Sequence, residues 1–209
     1  MSIEKAYDMW ANHYDTNANR TRDLDKKATI ETLQHIDFKQ VVELGCGTGK
    51  NTAYLLRTAE RIIGLDFSQE MLNKAQEKIT DKRVEFKKVD LNQDWGIENN
   101  FADLITASLT LEHIENLDPI FAQANQTLKK KGYFFISELH SFKQYTGSKA
   151  QYETDTGTQE LEVYVHHISE YIDHAKSNGF QFVELKEWFD ENSENDLPRL
   201  ISFVFQKSM

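Results

Sequence analysis

Cysteine is almost absent from this sequence, and its scarcity excludes whole classes of structure. The 209 residues contain one cysteine, Cys46, so neither an intramolecular disulfide nor a multi-cysteine metal site can form. Long apolar runs are missing too, since no stretch approaches the roughly 20 residues that cross a bilayer. The N-terminal MSIEKAYDMW lacks the basic segment and apolar core of a secretory signal. These absences predict a cytoplasmic protein with no membrane partner and no metal.

Positively charged residues are also fewer than negatively charged ones. The chain has 24 Lys and Arg against 34 Asp and Glu, a formal net charge of −10. Nucleic acid is therefore not expected as the main partner, because phosphate binding needs concentrated Lys and Arg. The densest basic run, KKK at 129–131, is interpreted as a solvated helix end near the negative pole of the helix dipole. A small molecule is the expected partner, and both a monomer and a homodimer remain open.

The central part of the chain alternates between apolar runs and helical patterns. This alternation predicts a single α/β domain with a parallel sheet and right-handed crossovers. The predicted strands cover 41–44, 61–65, 84–89, 102–109 and 133–139, and the predicted helices between them cover 51–59, 68–79 and 117–130.

The two ends depart from this alternation. Tyr7, Trp10, Ala11 and Tyr14 share one face of a predicted helix, and with a second helix at 23–36 they form an N-terminal cap over 1–36. A long connection at 140–167 is the expected lid or substrate insertion, with a possible strand at 161–165. The remaining predictions are a helix at 168–178 and an antiparallel strand pair at 180–189 and 200–206.

The most informative segment is VVELGCGTG at 41–49, where a hydrophobic strand runs into Gly45, Gly47 and Gly49. Glycines allow a sharp turn and a close ligand approach, and the following helix offers free N–H groups. This loop therefore predicts a nucleotide-like ligand. Lys50 stands where a G-x-G-x-x-G dinucleotide motif needs its third glycine, which disfavours NAD and FAD.

Acidic residues end two further strands. Asp66 ends the second strand, where a carboxylate can accept hydrogen bonds from both ribose hydroxyls, or can simply begin the helix that Ser68 caps. Asp90 ends the third strand, where it could accept from an adenine amino group or be an ordinary surface aspartate.

Together these segments resemble the class I S-adenosylmethionine-dependent methyltransferases, in particular the small-molecule type 11 group. The resemblance extends over residues 5–139 and includes 103–108 with 111–114, whereas Leu128–Glu138 lacks the usual proline and one glycine. It implies a Rossmann-like three-layer sandwich whose seven-stranded sheet is mostly parallel with the last strand antiparallel. It also implies S-adenosylmethionine as cofactor, with S-adenosylhomocysteine as product. The implied cofactor-binding residues are Glu43, Gly45, Cys46, Gly47, Gly49, Asp66, Phe67, Met71, Asp90, Leu91 and Ser108.

The expected reaction is an in-line methyl transfer, for which the protein mainly supplies alignment. O- or N-methylation of a small soluble acceptor is favoured over C-methylation, and a base must then remove a proton. His113 and His140 are the candidate bases, although either could be purely structural. The candidate substrate-binding residues are Tyr7, Trp10, Tyr14, His113, His140, Tyr145 and His166. Methylation of protein or RNA, and a cofactor-binding module without catalysis, remain alternatives.

Overall fold

The computed structural model describes residues 3–11, 14–16, 18–147, 151–154, 157–191 and 197–209. The helices are α1 (Ile3–Trp10), α2 (Arg20–Leu33), α3 (Thr52–Leu55), α4 (Gln69–Lys78), α5 (Asp118–Thr127), α6 (Ser141–Tyr145) and α7 (Ile168–Ser177). The strands are β1 (Gln40–Leu44), β2 (Arg61–Asp66), β3 (Val84–Lys88), β4 (Ala102–Ser108), β5 (Leu128–Leu139), β6 (Gln151–Thr154), β7 (Gly157–Glu160), β8 (Phe180–Trp188) and β9 (Leu200–Lys207). A 3-10 turn covers Leu111–His113.

Seven of these strands form one sheet in the order β3-β2-β1-β4-β5-β9-β8. The pairs from β3 to β5 are parallel, whereas β9 is antiparallel to both β5 and β8. The predicted mostly parallel, seven-stranded sheet with an antiparallel last strand is therefore confirmed. β9 follows β8 in the chain but lies between β8 and the rest of the sheet.

Both faces of the sheet are covered, because successive side chains of a strand point to opposite faces. Val42 and the residues in register with it pack in a cluster that also contains Phe121 of α5 and Tyr171 of α7. Val41 packs in a second cluster with Leu33 of α2 and Leu55 of α3. The result is the expected three-layer arrangement, with the carboxyl ends of the parallel strands at one edge.

The connection between β5 and α7 differs from the sequence-based expectation. The possible strand at 161–165 is wrong, since these residues form no ladder, and the hairpin lies just upstream in β6 and β7. The reason is that Tyr164 N–H donates to the carbonyl of Glu112, which ties the segment to the turn after β4 instead of to a strand.

The interpretation of the lysine run at 129–131 as a helix end is also wrong. Helix α5 ends at Thr127 and β5 begins at Leu128, so the three lysines start a strand instead of ending a helix. Lys129 pairs with Asp103 at 2.7 Å, and Lys131 adopts φ 64, in the left-handed region. Among the helices of the described residues, none has the length and apolar character needed to cross a membrane.

Candidate active site

The carboxyl ends of β1, β2 and β4 open into a cavity of about 360 Å³. That volume lies within the range of small-molecule sites, which starts near 300 Å³. The structure brings together many of the residues that the sequence selected, and these cavity-lining residues are Tyr7, Tyr14, Gly45, Gly47, Asp66, Phe67, Met71, Asp90, Leu91, Ser108 and His113.

Glycine is required at two positions of the loop after β1 for different reasons. Gly45 has φ 64, and a Cβ there would lie 2.1 Å from Oγ1 of Thr110. Gly47 has φ 52, and a Cβ there would meet no atom within 4 Å, because this glycine faces the open cavity. Gly45 thus lets the turn after β4 pack on the loop, and Gly47 leaves its backbone accessible to a ligand.

Asp66 lies at the end of β2 with 6% of its surface exposed. Its Oδ2 accepts from the backbone N–H of Gly47 at 2.8 Å, and its Oδ1 accepts from Ser68 N–H at 2.9 Å. Burial raises the pKa of Asp66 to about 6, against the lowering effect of the backbone donors. Each carboxylate oxygen has a further lone pair, so Asp66 can still accept hydrogen bonds from a ligand hydroxyl.

Asp90 and two apolar side chains line the neighbouring part of the cavity. Asp90 is exposed, and its Oδ1 accepts from the backbone and side-chain nitrogens of Asn92, both at 2.9 Å. Met71 and Leu91 are buried beside it, with 1% and 6% of their surfaces exposed. Apolar side chains with one carboxylate at the edge suit a flat heteroaromatic ring that carries an amino group.

Another part of the cavity lining contains a hydrogen bond between Tyr7 and His113. The hydroxyl of Tyr7 is 2.8 Å from Nε2 of His113, and Nδ1 of His113 is 3.1 Å from the carbonyl oxygen of Glu162. A carbonyl can only accept, so Nδ1 carries the proton and Nε2 accepts from the tyrosine hydroxyl. Burial lowers the pKa of His113 and raises that of Tyr7, which favours the neutral form of both.

Polar contacts hold α1 over this cavity. Asp8 accepts from Ser68 Oγ at 2.6 Å, and Glu4 pairs with Lys88 at 2.8 Å. Trp10, which is 8% exposed, packs edge-on against Tyr14 and lies outside the cavity lining. The prediction that Tyr14 shares a helix face with Tyr7 and Trp10 is wrong, because α1 ends at Trp10 and Tyr14 lies in a turn beyond it. Tyr7 and Tyr14 nevertheless both line the cavity.

Three residues that the resemblance assigned to the cofactor lie behind the cavity lining. Glu43 is buried, accepts from Thr52 Oγ1 at 2.5 Å, and has its pKa raised to about 8 by burial. Cys46 is buried with Sγ facing Gly64, and Gly49 packs against Ile79. The contacts of these three residues shape the loop after β1 from the side that faces away from the cavity.

The remaining histidine candidates are engaged elsewhere. Nδ1 of His140 accepts from Phe142 N–H at 3.1 Å at the start of α6, and its Nε2 is 3.0 Å from Glu187 of β8, so both ring nitrogens have partners. His166 is buried and donates from Nε2 to the carbonyl of Ile114 at 2.7 Å. Tyr145 is 56% exposed and bonds His167. All three candidates lie outside the cavity lining.

Sequence reasoning missed Thr110, Glu138 and Glu162. Thr110 and Glu162 line the cavity, and Glu138 is buried behind it. Glu138 carried a usable signal, because an acidic residue near the end of an apolar strand lies at the same edge as Asp66. Among the described residues, no group of three or more His, Cys, Asp and Glu side chains is arranged to hold a metal ion.

The chain is similar to known methyltransferases in sequence and in structure. Residues 42–136 match a family described as a methyltransferase domain, type 11. An uncharacterized methyltransferase of Emericella nidulans is 27% identical over 220 aligned positions, which cover 87% of this chain and 76% of that protein.

Two solved structures extend the similarity to the fold. An S-adenosylmethionine-dependent methyltransferase of Mesorhizobium loti aligns with a TM-score of 0.74 at 18% identity, covering 88% of this chain and 98% of that one. A complex of DhpI with SAH aligns with a TM-score of 0.71 at 20% identity, covering 98% of this chain and 94% of that one. At such identities these two alignments establish the shared fold.

Proposed function

This chain is a class I S-adenosylmethionine-dependent methyltransferase, and from that premise we propose that it methylates an oxygen or nitrogen of a small soluble acceptor. The observation that carries the proposal is the Tyr7–His113 hydrogen bond in the cavity lining, 2.8 Å long. It offers a neutral base next to the place where an acceptor must lose a proton.

The residues around Asp66 fit the cofactor. The bare backbone of Gly47 faces the cavity, and the buried carboxylate of Asp66 has lone pairs available for the ribose hydroxyls. Met71 and Leu91 offer an apolar slot for adenine, with Asp90 at its edge. When bound, S-adenosylmethionine supplies a methyl group already activated by its sulfonium.

Tyr7 and His113 provide the path for the proton. Because Nδ1 of His113 donates to Glu162, the lone pair of Nε2 points at the tyrosine hydroxyl. As the acceptor attacks the methyl carbon, its proton passes to the oxygen of Tyr7 while the tyrosine proton passes to Nε2. Tyr7 stays neutral, and His113 becomes an imidazolium still bonded to the Glu162 carbonyl.

Two features support a small acceptor over a macromolecular one. The cavity of about 360 Å³ is the size of a small-molecule site, and its described lining contains no Lys or Arg. A phosphate backbone needs such cations. We also propose that the 1–36 cap and the 140–167 segment close the acceptor side, since Tyr7 and Glu162 belong to them and line the cavity.

The test is release of S-adenosylhomocysteine in the presence of a panel of small alcohols, phenols and amines. His113→Ala is expected to lower kcat by about 10²- to 10⁴-fold, the usual contribution of a general base, with cofactor affinity nearly unchanged. Tyr7→Phe should reproduce most of the loss because it breaks the proton path. His35→Ala, which removes an exposed histidine just after the end of α2 and outside the cavity lining, is the matched control.

Two outcomes would overturn the proposal. Unchanged turnover in His113→Ala would exclude this residue as the base. Incorporation of labelled methyl groups into cellular RNA or protein fractions, with none into small molecules, would replace the acceptor class.

A further inference from the structure

Glu138 is a buried carboxyl group for which the proposed proton path has no use. It is the last residue but one of β5, and 1% of its surface is exposed. Its Oε1 accepts from two successive backbone amides across the sheet edge, Thr110 N–H at 3.0 Å and Leu111 N–H at 2.8 Å. One side-chain oxygen therefore satisfies two donors at the start of the turn that follows β4.

That turn needs an external acceptor. Leu109 enters it with φ 52, a left-handed conformation that leucine rarely adopts. The amides of the first residues of a helical turn have no partner within the turn. Without Glu138, the amides of Thr110 and Leu111 would both lose the acceptor that the structure gives them.

The same turn connects the two halves of the site. At one end Thr110 packs against Gly45, so closely that a Cβ on this glycine would lie 2.1 Å from the threonine oxygen. At the other end His113 meets Tyr7 and Glu162. Any shift of the turn therefore moves the base relative to the cofactor loop.

We propose that Glu138 is a positioning residue, which clamps the turn 109–113 and thereby fixes the distance and orientation of His113 relative to the cofactor loop. The inference rests on the proposed role of His113 and extends it to a residue outside the cavity lining.

The surroundings of Glu138 indicate which substitutions preserve the clamp. Burial, and to a lesser extent Glu112, raises the pKa of Glu138 well above its usual range. A neutral carboxylic acid and a carboxamide present the same kind of carbonyl oxygen to the two amides. Glutamine should therefore replace Glu138, whereas leucine fills similar space but has no acceptor.

The experiment compares Glu138→Gln with Glu138→Leu through the ring ¹⁵N signals of His113, assigned by their loss in His113→Ala. Wild type and Glu138→Gln are expected to show the Nδ1-protonated tautomer. Glu138→Leu leaves both amides without this acceptor, so we expect a mixture of tautomers and a Kd for S-adenosylhomocysteine raised by about tenfold as the turn shifts against the cofactor loop.

Glu112→Leu is the matched control, because Glu112 is a buried acid in the same turn, 6% exposed, whose side chain is engaged by Gln144. It should leave the His113 signals unchanged. Wild-type signals in Glu138→Leu would overturn the inference, as would loss of the tautomer in Glu138→Gln, and neither result depends on turnover. Unaffected catalysis in His113→Ala would instead overturn the proposed function alone.

Discussion

At the scale of single residues, the site depends on carboxyl groups held in different surroundings. Asp66 is buried yet receives backbone N–H groups on both oxygens, so its pKa of about 6 is a balance between burial and those donors. A ligand hydroxyl would add to the donors. We therefore expect Asp66 to couple cofactor binding to pH.

We expect the affinity for S-adenosylmethionine to rise as the pH rises through about 6 and to level off above it. The reason is that the ionised carboxylate is the stronger acceptor, so binding lowers its pKa and releases a proton near pH 6. Calorimetry in two buffers of different ionisation enthalpy measures that proton.

Asp66→Asn should bind roughly 10- to 100-fold more weakly, with no pH dependence over this range, as expected for losing hydrogen bonds to a charged group. Asp90→Asn, at the exposed acidic position of the same cavity, should keep the pH dependence. A pH-dependent affinity that persists in Asp66→Asn would assign the titration to another group.

The sequence could predict that the residues proposed for the cofactor lie together, because they follow strands directly. Gly45, Gly47, Asp66 and Asp90 all come within a few residues of a buried apolar run, and parallel strands bring their carboxyl ends together. The contacts proposed for the acceptor side could not be predicted from the sequence. The Tyr7–His113 bond joins residues 106 positions apart, and nothing near His140 in the sequence indicates that its ring is held at the start of α6.

At the scale of elements, the junction between α5 and β5 contains a non-glycine residue in a strained backbone conformation. The helix stops at Thr127, and the chain turns through Lys131 at φ 64 before Gly132. Gly132 is needed for space, since a Cβ there would lie 3.0 Å from the carbonyl of Lys129. Lys131 takes a conformation that costs a non-glycine residue about 1–2 kcal/mol.

Lys131→Gly is therefore expected to raise the free energy of unfolding by about 0.5–1 kcal/mol, since relief of backbone strain exceeds the entropy that glycine adds to the unfolded chain. The lysine side chain is exposed, and the carbonyl that accepts from Gln206 is retained. Urea denaturation midpoints measure the change. Lys130→Gly, outside the left-handed region, should instead destabilise, and a destabilised Lys131→Gly would show that the strain is absent.

The elements that the sequence pattern misjudged are those whose pairing is decided elsewhere in the chain. LEVYV at 161–165 alternates like a strand, but its backbone bonds the turn at Glu112. The lysines at 129–131 look like a helix end because the helical spacing of α5 runs on into β5 without a break in composition. Buried apolar runs such as β1 and β4 have no such competitor.

At the scale of the whole molecule, the topology of the sheet restricts the order in which it can assemble. In the part of the chain that the structure describes, β8 is bonded to β9 alone, and β9 connects it to β5. β8 therefore cannot join the sheet before β9 does. The contacts between β5 and β9 are also distant in sequence, which slows their formation.

Pulse-labelled hydrogen exchange during refolding should show protection of β8 amides no earlier than that of β9 amides. Ser202→Pro, in the middle of β9, should remove protection from β8 as well, because β9 is the one strand paired with β8 among the described residues. Lys186→Pro, opposite it on the edge strand β8, is the comparison and should leave the pairing of β5 with β9 largely intact. Early protection of β8 in the absence of β9 would contradict this order.

The inserted position of β9 also matters while the protein is being made. The ribosome releases β8 before β9, so β8 must wait as an unpaired segment until the later strand emerges. During that interval Phe182 and Val183, which remain about half exposed at 49% and 50% even in the finished sheet, are fully open to other chains. Nascent molecules of this protein are consequently most vulnerable to self-association late in synthesis, and slower translation between the two strands would lengthen that window.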